Sequence, residues 1–290
     1  MRIAIYGKLS ATENIQSVTA FLERLLQNDV DVTVFEYLRA SIDPLFSGHT
    51  IDYFSAHNQL SGCDFLVSFG GDGTLLDSTT FVRDSELPIL GINTGRLGFL
   101  TEFGKDETDE AADALLSGNF TIDKRALLKV ENSETDFDGY PYALNELTVH
   151  KKDTTSMVTV DVHLNDVFLN SYWADGLIIS TPTGSTAYSL SCEGPILTPD
   201  NQNFIINPIA PHNLNVRPLV IPDNGVLTLT IQSRSNDFLA SLDSRSKSIS
   251  CQSTIKITKS PFSINLIRRP GQSFLNTLRH KLFWGNDRRN

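Results

Sequence analysis

The sequence has few cysteines and no excess of basic residues. Its three cysteines, Cys63, Cys192 and Cys251, are far apart in the chain and form no CxxC pair. This disfavours a disulfide scaffold and a zinc ribbon and favours a reducing compartment. Lysine and arginine together number 24, against 34 aspartates and glutamates, which gives a formal net charge of −10. Because nucleic-acid phosphates are bound by basic surfaces, we expect no nucleic-acid partner.

Long apolar runs are also missing. None reaches the roughly 18 residues that a membrane-spanning helix needs. The apolar N-terminal run, Arg2 to Tyr6, is too short for a signal peptide and is typical of a strand. We therefore expect a cytoplasmic protein without a membrane partner. A chain of 290 residues, of which 40% are hydrophobic, is long enough for two domains, each with its own core.

Residues 1–121 alternate strands with helices. Short apolar runs, typical of strands covered on both faces, are followed by apolar residues at helical spacing. The predicted strands are 2–6, 30–35, 65–69 and 88–92, and the predicted helices are 15–26, 74–82 and 108–116. Ser10 or Thr12 is the expected N-cap of the first helix, and the pattern of 40–62 is ambiguous. The rhythm predicts a Rossmann-like α/β domain with a mostly parallel sheet.

Residues 122–265 show strands joined by turns instead. Val158, Val160 and Val162 alternate with other positions at period two, as in a strand with one buried face. The predicted strands are 126–130, 144–149, 158–164, 177–180, 226–231 and 254–257. The pattern predicts an all-β, sandwich-type domain. A last helix, at 273–282, falls in the segment 266–290, which we expect to pack back on the α/β domain.

The strongest chemical signal is the run Gly70-Gly71-Asp72-Gly73-Thr74 after a buried strand. In open α/β sheets, ligands bind beyond the carboxyl ends of the strands. Glycine N–H groups and a helix N-terminus form an anion site there. A carboxylate in such a loop repels phosphate unless it deprotonates an attacking hydroxyl or holds a metal. The alternative is a tight turn in which Asp72 serves only the turn geometry.

Two further stretches carry polar groups in apolar surroundings. Asp175-Gly176 precedes a short strand, and hydroxyl side chains are dense in 181–189, where Tyr188 could stack on a base. Asn145-Glu146 lies in an otherwise apolar strand, where a buried carboxylate would need partners such as ribose hydroxyls. The alternatives are an ordinary Ser/Thr-rich loop and a solvated glutamate on an edge strand.

Together these motifs resemble the NAD kinases, which use ATP or polyphosphate to phosphorylate NAD to NADP. The likeness covers residues 1–260. GGDG alone is shared with lipid kinases and phosphofructokinases, whereas the TPTGSTAYSLS stretch with Asn-Glu upstream is far more specific. The matching motifs are 70–74, 145–146, 175–176, 181–191, Gly194-Pro195, 209–214 and 217–220.

The resemblance implies a doubly wound N-terminal domain and a C-terminal β-sandwich, with NAD in the crevice between them. It also implies a homodimer or homotetramer in which a neighbouring subunit completes the site. Asp72 is the implied general base for the adenosine-ribose 2′-hydroxyl. The implied NAD-binding residues are Asp72, Gly73, Asn145, Glu146, Asp175, Thr183, Gly184, Ser185, Thr186, Ala187 and Tyr188. The implied donor-phosphate loop consists of Gly70, Gly71, Gly73 and Thr74.

The implied substrates are NAD and ATP or polyphosphate. Mg²⁺ is expected to arrive with ATP, and the six histidines show no metal-ligand spacing, so we expect no protein-bound metal. The chain departs from the family at Asp77, where many members have Arg or Lys, at Arg245, where some have Gln, and at Cys192-Glu193. A lipid kinase of the diacylglycerol or sphingoid type with the same loop, and a non-catalytic NAD(P)-binding regulator, are the alternative functions.

Overall fold

The computed structural model describes residues 1–8, 12–95, 98–153 and 156–284. The chain divides into two compact units. Unit 1 comprises Met1–Lys124 and Ile264–Asn290, and unit 2 comprises Arg125–Ser263. The chain therefore leaves unit 1 and returns to it at its C-terminal end.

The described residues form eighteen strands and six α-helices. The strands are β1 (Arg2–Gly7), β2 (Asp31–Phe35), β3 (Asp52–Phe54), β4 (Phe65–Phe69), β5 (Ile89–Asn93), β6 (Phe103–Gly104), β7 (Thr121–Glu131), β8 (Tyr142–Ala143), β9 (Glu146–Lys151), β10 (Val158–Leu164), β11 (Val167–Ala174), β12 (Gly176–Ser180), β13 (Asn203–Ile209), β14 (Leu219–Pro222), β15 (Leu227–Gln232), β16 (Asp237–Leu242), β17 (Arg245–Ser250) and β18 (Thr254–Arg268). The helices are α1 (Thr12–Leu26), α2 (Arg39–Ile42), α3 (Asp72–Val82), α4 (Thr108–Ser117), α5 (Tyr188–Ser191) and α6 (Phe274–Leu282).

In unit 1, parallel strands lie in the order β3-β2-β1-β4-β5. The chain runs outward from β1 to β3 on one side and then crosses to β4 on the other. Strands β1 and β4 are thus the neighbours at which the winding changes direction, the place where open α/β sheets bind ligands. Their last residues, Gly7 and Phe69, pair with each other. The predicted mostly parallel sheet is confirmed, and the glycine-rich loop follows Phe69 at its switch point.

Helices α1 and α4 cover this sheet and share its core. Phe21 and Leu22 of α1 and Leu115 of α4 are buried in one hydrophobic cluster with Phe69. The rings of Phe21 and Phe69 are 5.5 Å apart and meet edge to face. Helix α4 ends at Gly118, whose φ of 70° lies in the left-handed region that glycine favours.

Unit 2 consists of two antiparallel sheets that enclose a second core. One sheet has the order β14-β13-β12-β9-β16-β17. The other contains β11, β10, β15 and the first part of β18. Val158, Val160 and Val162 of β10 share one buried cluster with Leu147 of β9 and Leu177 of β12. The predicted sandwich-type domain is confirmed.

Some predicted element bounds differ from the observed ones. Strand β18 has 15 residues, whereas only its first four were expected, because Lys259-Ser260-Pro261 interrupts the apolar pattern. Helix α3 begins at Asp72 rather than Thr74, because Gly71 is extended and serves as its N-cap. The expected N-cap of α1 lies outside the part of the chain whose side chains are described. Among the described helices, none is long and apolar enough to cross a membrane.

Candidate active site

The glycines of the loop after β4 have different roles. Gly70 has a φ of +153°, and a Cβ there would lie 2.2 Å from the side-chain oxygen of Thr74, so only glycine fits. A Cβ on Gly71 or Gly73 would meet nothing within 4 Å. One glycine therefore shapes the turn, and the other two leave the backbone at the N-terminus of α3 open to a ligand.

The Asp72 carboxylate is seated on backbone N–H groups. It accepts hydrogen bonds from Phe99 at 2.7 Å, Leu100 at 3.1 Å and Thr101 at 3.4 Å. A Cβ on Gly98 would lie 1.8 Å from Asp72 Oδ1, so glycine is required where the backbone passes the carboxylate. We call residues 98–101 the cradle of Asp72. It fixes the carboxylate in one orientation.

Two buried polar side chains, those of Asn93 and Thr101, shape the cradle. Asn93 donates from Nδ2 to the Thr101 hydroxyl at 3.1 Å and accepts from the Gly95 N–H at 2.6 Å. The Gly98 N–H donates to the same Thr101 hydroxyl at 3.2 Å. Sequence reasoning missed the cradle. The available signal was the pair of glycines, Gly95 and Gly98, directly after a buried strand.

Two lysines lie on the side of unit 1 that carries the loop. Lys281 of α6 lies close enough to Asp72 for the two charges to interact. Burial lowers the pKa of Lys281, and the negative charge of Asp72 partly opposes this shift. Lys8, the residue after β1, donates to the Asp77 carboxylate at 2.8 Å. This hydrogen bond raises the pKa of Lys8. The charge of Asp77, the departure from the family pattern, thus faces a lysine.

In unit 2, Glu146 is a buried carboxyl at the start of β9. It is 9% exposed, and its Oε2 has no hydrogen-bond partner among the described residues. Burial, and then the negative charge of Asp243, raise the pKa of Glu146 to about 8. An unpartnered buried acceptor is costly unless a ligand supplies the donor.

Asp243 holds the backbone around Asn145 and Glu146. It lies in the tight turn between β16 and β17 with a φ of 50°. Its carboxylate accepts from the N–H groups of Leu144 at 2.9 Å, Asn145 at 2.8 Å and Glu146 at 3.2 Å. Burial raises the pKa of Asp243, and these three donors oppose the rise. Because Asp243 bonds the backbone here, β9 begins at Glu146, two residues later than expected.

The segment that contains Thr183–Thr186 packs directly on Asn145. A Cβ on Gly184 would lie 2.2 Å from the Asn145 carbonyl oxygen. The Thr181 N–H donates to the same carbonyl at 2.9 Å. The structure therefore brings together two motifs that are 35 or more positions apart in the sequence.

The other predicted residues of this segment differ in exposure. Ser185 is buried, donates to the Pro182 carbonyl at 2.6 Å and accepts from the Leu197 N–H at 3.0 Å. Thr183 is also buried, Thr186 and Ala187 are half-buried, and Tyr188 is exposed. Asp175 forms an ion pair with Lys151, with 2.5 Å between Oδ1 and Nζ. The roles of these residues in NAD binding stay predictions.

The other two departures from the family pattern are Arg245 and Cys192-Glu193, and only the first has a structural explanation. Arg245 donates to the carbonyls of Phe137, Tyr140 and Tyr142 and so holds the chain before β9. Cys192 is a free, half-buried thiol, and burial raises its pKa. Nothing in the structure explains why cysteine stands there. In the described part of the chain, no three His, Cys, Asp or Glu side chains come together as a metal site.

Comparison with known proteins covers both units. Residues 3–120 match the family model of the ATP-NAD kinase N-terminal domain, and residues 144–269 match that of the C-terminal domain. An NAD kinase of Flavobacterium psychrophilum is 47% identical over 294 aligned positions, which cover 100% of both chains. An NAD kinase of Bacteroides fragilis is 36% identical over 301 positions, again over 100% of both.

Solved structures agree with this in fold. Yeast NADH kinase complexed with NADH matches 99% of this chain and 89% of its own with a TM-score of 0.87 at 23% identity. An NAD kinase from Archaeoglobus fulgidus in complex with ATP matches 98% and 99% with a TM-score of 0.75 at 26% identity. The chain therefore belongs to the ATP-NAD kinase family.

Proposed function

We propose that this chain transfers the terminal phosphoryl group of ATP to the adenosine-ribose 2′-hydroxyl of NAD and so makes NADP. The observation that carries the proposal is the seated carboxylate of Asp72 between two open glycines at a helix N-terminus. Open backbone N–H groups suit a phosphate. A fixed carboxylate among them suits a proton acceptor, which binding alone does not require.

In the proposed reaction the ribose 2′-oxygen attacks the γ-phosphorus of ATP. Its proton passes to Asp72 as the new oxygen–phosphorus bond forms. The bond between the γ-phosphorus and the bridging β–γ oxygen breaks, and ADP leaves. Such transfers depend chiefly on positioning and on stabilisation of the phosphoryl charge. In the proposal, Gly70, Gly71, Gly73 and Thr74 form the loop that holds the donor phosphates.

The acceptor side of the reaction is assigned to unit 2. Asn145 and Glu146 bind ribose hydroxyls, because Glu146 Oε2 is a buried polar atom without a partner among the described residues, and a hydroxyl can either donate to it or accept from it. Asp175 and the segment Thr183 to Tyr188 contact the base and the nicotinamide side of NAD. The yeast relative was solved with NADH and the archaeal relative with ATP, which supports both substrates.

Mg²⁺ is proposed to enter with ATP. Mg²⁺ at such sites usually keeps several waters and takes one or two carboxylates besides the phosphates. Asp77 on α3 is a half-buried carboxylate of this kind, and its partner Lys8 is a further charge available to the donor. When bound, the ion neutralises charge on the donor phosphates.

A homodimer or homotetramer in the cytoplasm is also proposed. All three cysteines are free thiols, which fits a reducing compartment. Large apolar side chains are exposed on unit 2, among them Phe168, Trp173 and Leu214. Exposed apolar surface of this kind is typical of subunit contacts. Light scattering after size-exclusion chromatography measures the assembly directly.

The reaction is tested with the purified protein, NAD, ATP and Mg²⁺, with NADP measured by an NADP-specific dehydrogenase. Parallel reactions replace NAD by NADH, and ATP by polyphosphate, and one offers diacylglycerol as acceptor. NADP formation that needs both substrates supports the proposal. Tight NAD binding without NADP formation indicates a binding regulator, and phosphorylation of the lipid alone indicates a lipid kinase. All reported relatives are NAD or NADH kinases, which supports neither alternative.

A further inference from the structure

Arg268, the last residue of β18, lies behind the cradle of Asp72. Its side chain is 12% exposed. The guanidinium donates to the carbonyl oxygens of Phe99 at 3.1 Å and Leu100 at 3.2 Å. It also pairs with the carboxylates of Glu102 at 3.1 Å and Asp123 at 3.3 Å. One planar group thus serves four acceptors, a geometry that arginine provides and lysine does not.

Arg268 and Asp72 bind opposite ends of the same two peptide groups. The peptide between residues 99 and 100 offers its C=O to Arg268 and its N–H to Asp72. The next peptide does the same with the Leu100 carbonyl and the Thr101 N–H. In a trans peptide the C=O and N–H point in opposite directions. A cation on the C=O side polarises the group and strengthens the N–H donor on the other side.

We propose that Arg268 is a positioning residue for phosphoryl transfer, because it fixes and polarises the two peptides that orient the Asp72 carboxylate. The proposal rests on the proposed function of Asp72 as proton acceptor. In this proposal Arg268 acts through Asp72 rather than on the substrates, so its effect falls on kcat. A small misplacement of a catalytic group costs about 100-fold in rate.

The neighbouring Arg269 provides a matched control. Its guanidinium pairs with Glu107 at 2.7 Å and Glu110 at 3.2 Å and lies over the Phe103 ring. Among the described residues, the Arg269 side chain makes no hydrogen bond to the carbonyls of the cradle. Its backbone N–H, which donates to Glu102, is untouched by substitution. Arg269→Gln therefore removes an equal charge from the same segment without acting on Asp72.

Removal of Arg268 alone leaves a buried carboxylate, because the Glu102 side chain is 3% exposed. Such a loss can unfold a protein. The main test variant is therefore R268Q/E102Q, which removes both charges of the pair. R268K keeps the charge but not the planar fork. E102Q alone separates the effect of the glutamate.

The experiment measures kcat, KM for NAD, KM for ATP and the thermal midpoint of each variant. We expect R268Q/E102Q to lose about 10- to 100-fold in kcat, with both KM values within about threefold of wild type. R268K, which keeps the charge, should lose less kcat than R268Q/E102Q. R269Q and E102Q should stay near wild type in kcat. A folded R268Q/E102Q protein with unchanged kcat, or with changed KM alone, overturns the proposal.

The Asp72→Asn background separates this proposal from the one on which it rests. If Arg268 acts through Asp72, R268Q/E102Q costs nothing further when Asp72 is already Asn. An additive loss means that Arg268 acts elsewhere, and the positioning proposal fails alone. Full activity of Asp72→Asn itself means that the proposed role of Asp72 fails.

Discussion

The carboxylates of the two candidate clusters differ in the donors that surround them. Asp72 and Asp243 each accept three backbone N–H groups. Glu146 Oε2 accepts none among the described residues. Donors from the backbone compensate a carboxylate for the loss of water, whereas burial alone favours the protonated acid. The backbone donors therefore hold the Asp72 carboxylate in place, whereas Glu146 is left in need of a ligand.

Asp72→Asn is expected to lower kcat by about 100- to 10,000-fold, the usual contribution of a general base. Asparagine keeps the size of the side chain and one acceptor for the cradle, but it takes no proton. KM for NAD should change little, and the thermal midpoint should fall modestly, because the amide Nδ2 would face a backbone N–H of the cradle. The control is Asp113→Asn, which removes an exposed carboxylate on α4 that pairs with Arg24. A kcat within about threefold of wild type would exclude Asp72 as the base.

Glu146→Gln is expected to change the pH dependence of stability. The pKa of Glu146 is raised to about 8 from 4.5, so the folded state holds the proton more tightly than the unfolded chain. Its contribution to stability is complete below the unfolded pKa and is lost as pH rises through about 8. The variant lacks this titration. Between pH 5 and pH 9 the wild-type thermal midpoint should therefore fall relative to that of the variant. Parallel midpoint curves for the two proteins would contradict the expected burial of charge.

At the scale of elements, the adjacent ends of β1 and β4 place Lys8 opposite Asp77. A carboxylate near the donor loop repels phosphate by about 2 kcal/mol at 8 Å and an effective dielectric of 20, before salt screening. The neighbouring ammonium of Lys8 offsets this charge. The structure thus supplies a local compensation for the arginine or lysine that many family members carry at the position of Asp77.

Lys8→Met is accordingly expected to raise KM for ATP several-fold, most clearly at low Mg²⁺, because the charge of Asp77 then acts on the donor phosphates. The double variant K8M/D77N removes both charges and should recover most of the loss. The measurement is a Mg²⁺ titration at fixed ATP in all three proteins. If the single and double variants have the same KM, the pair has no part in donor binding.

The elements themselves were largely predictable from the sequence, and the exceptions have local causes. Strands β4 and β5 are buried on both faces, so their apolar runs are continuous and easy to recognise. The second half of β18 was missed because Pro261 and its polar neighbours break the pattern. The GGDG loop was visible because its glycines are contiguous. The cradle, Asp243 and Arg268 were missed as partners, because tertiary contacts between distant segments leave no periodic signal.

At the scale of the whole molecule, the net charge of −10 opposes the binding of anionic substrates. Attraction for ATP must therefore come from local groups, namely the N-terminus of α3 and nearby lysines. The return of the C-terminal segment to unit 1 brings one such lysine, Lys281 of α6, near Asp72. It also brings Arg268 to the cradle, so the last part of the chain completes the first unit's candidate site.

Lys281→Met is expected to lower kcat/KM for ATP about tenfold, the effect of one lost charge-assisted contact to phosphate. Burial lowers the pKa of Lys281, so its charged form costs folding free energy. That cost is largest at low pH, where the unfolded chain holds the proton more tightly, and it disappears as pH rises towards the unfolded pKa. The variant lacks this cost, so its thermal midpoint should hold or rise while activity falls. Lys281→Arg keeps the charge and should retain most activity. A fall in midpoint with unchanged kcat/KM would show instead that Lys281 serves only the packing of α6.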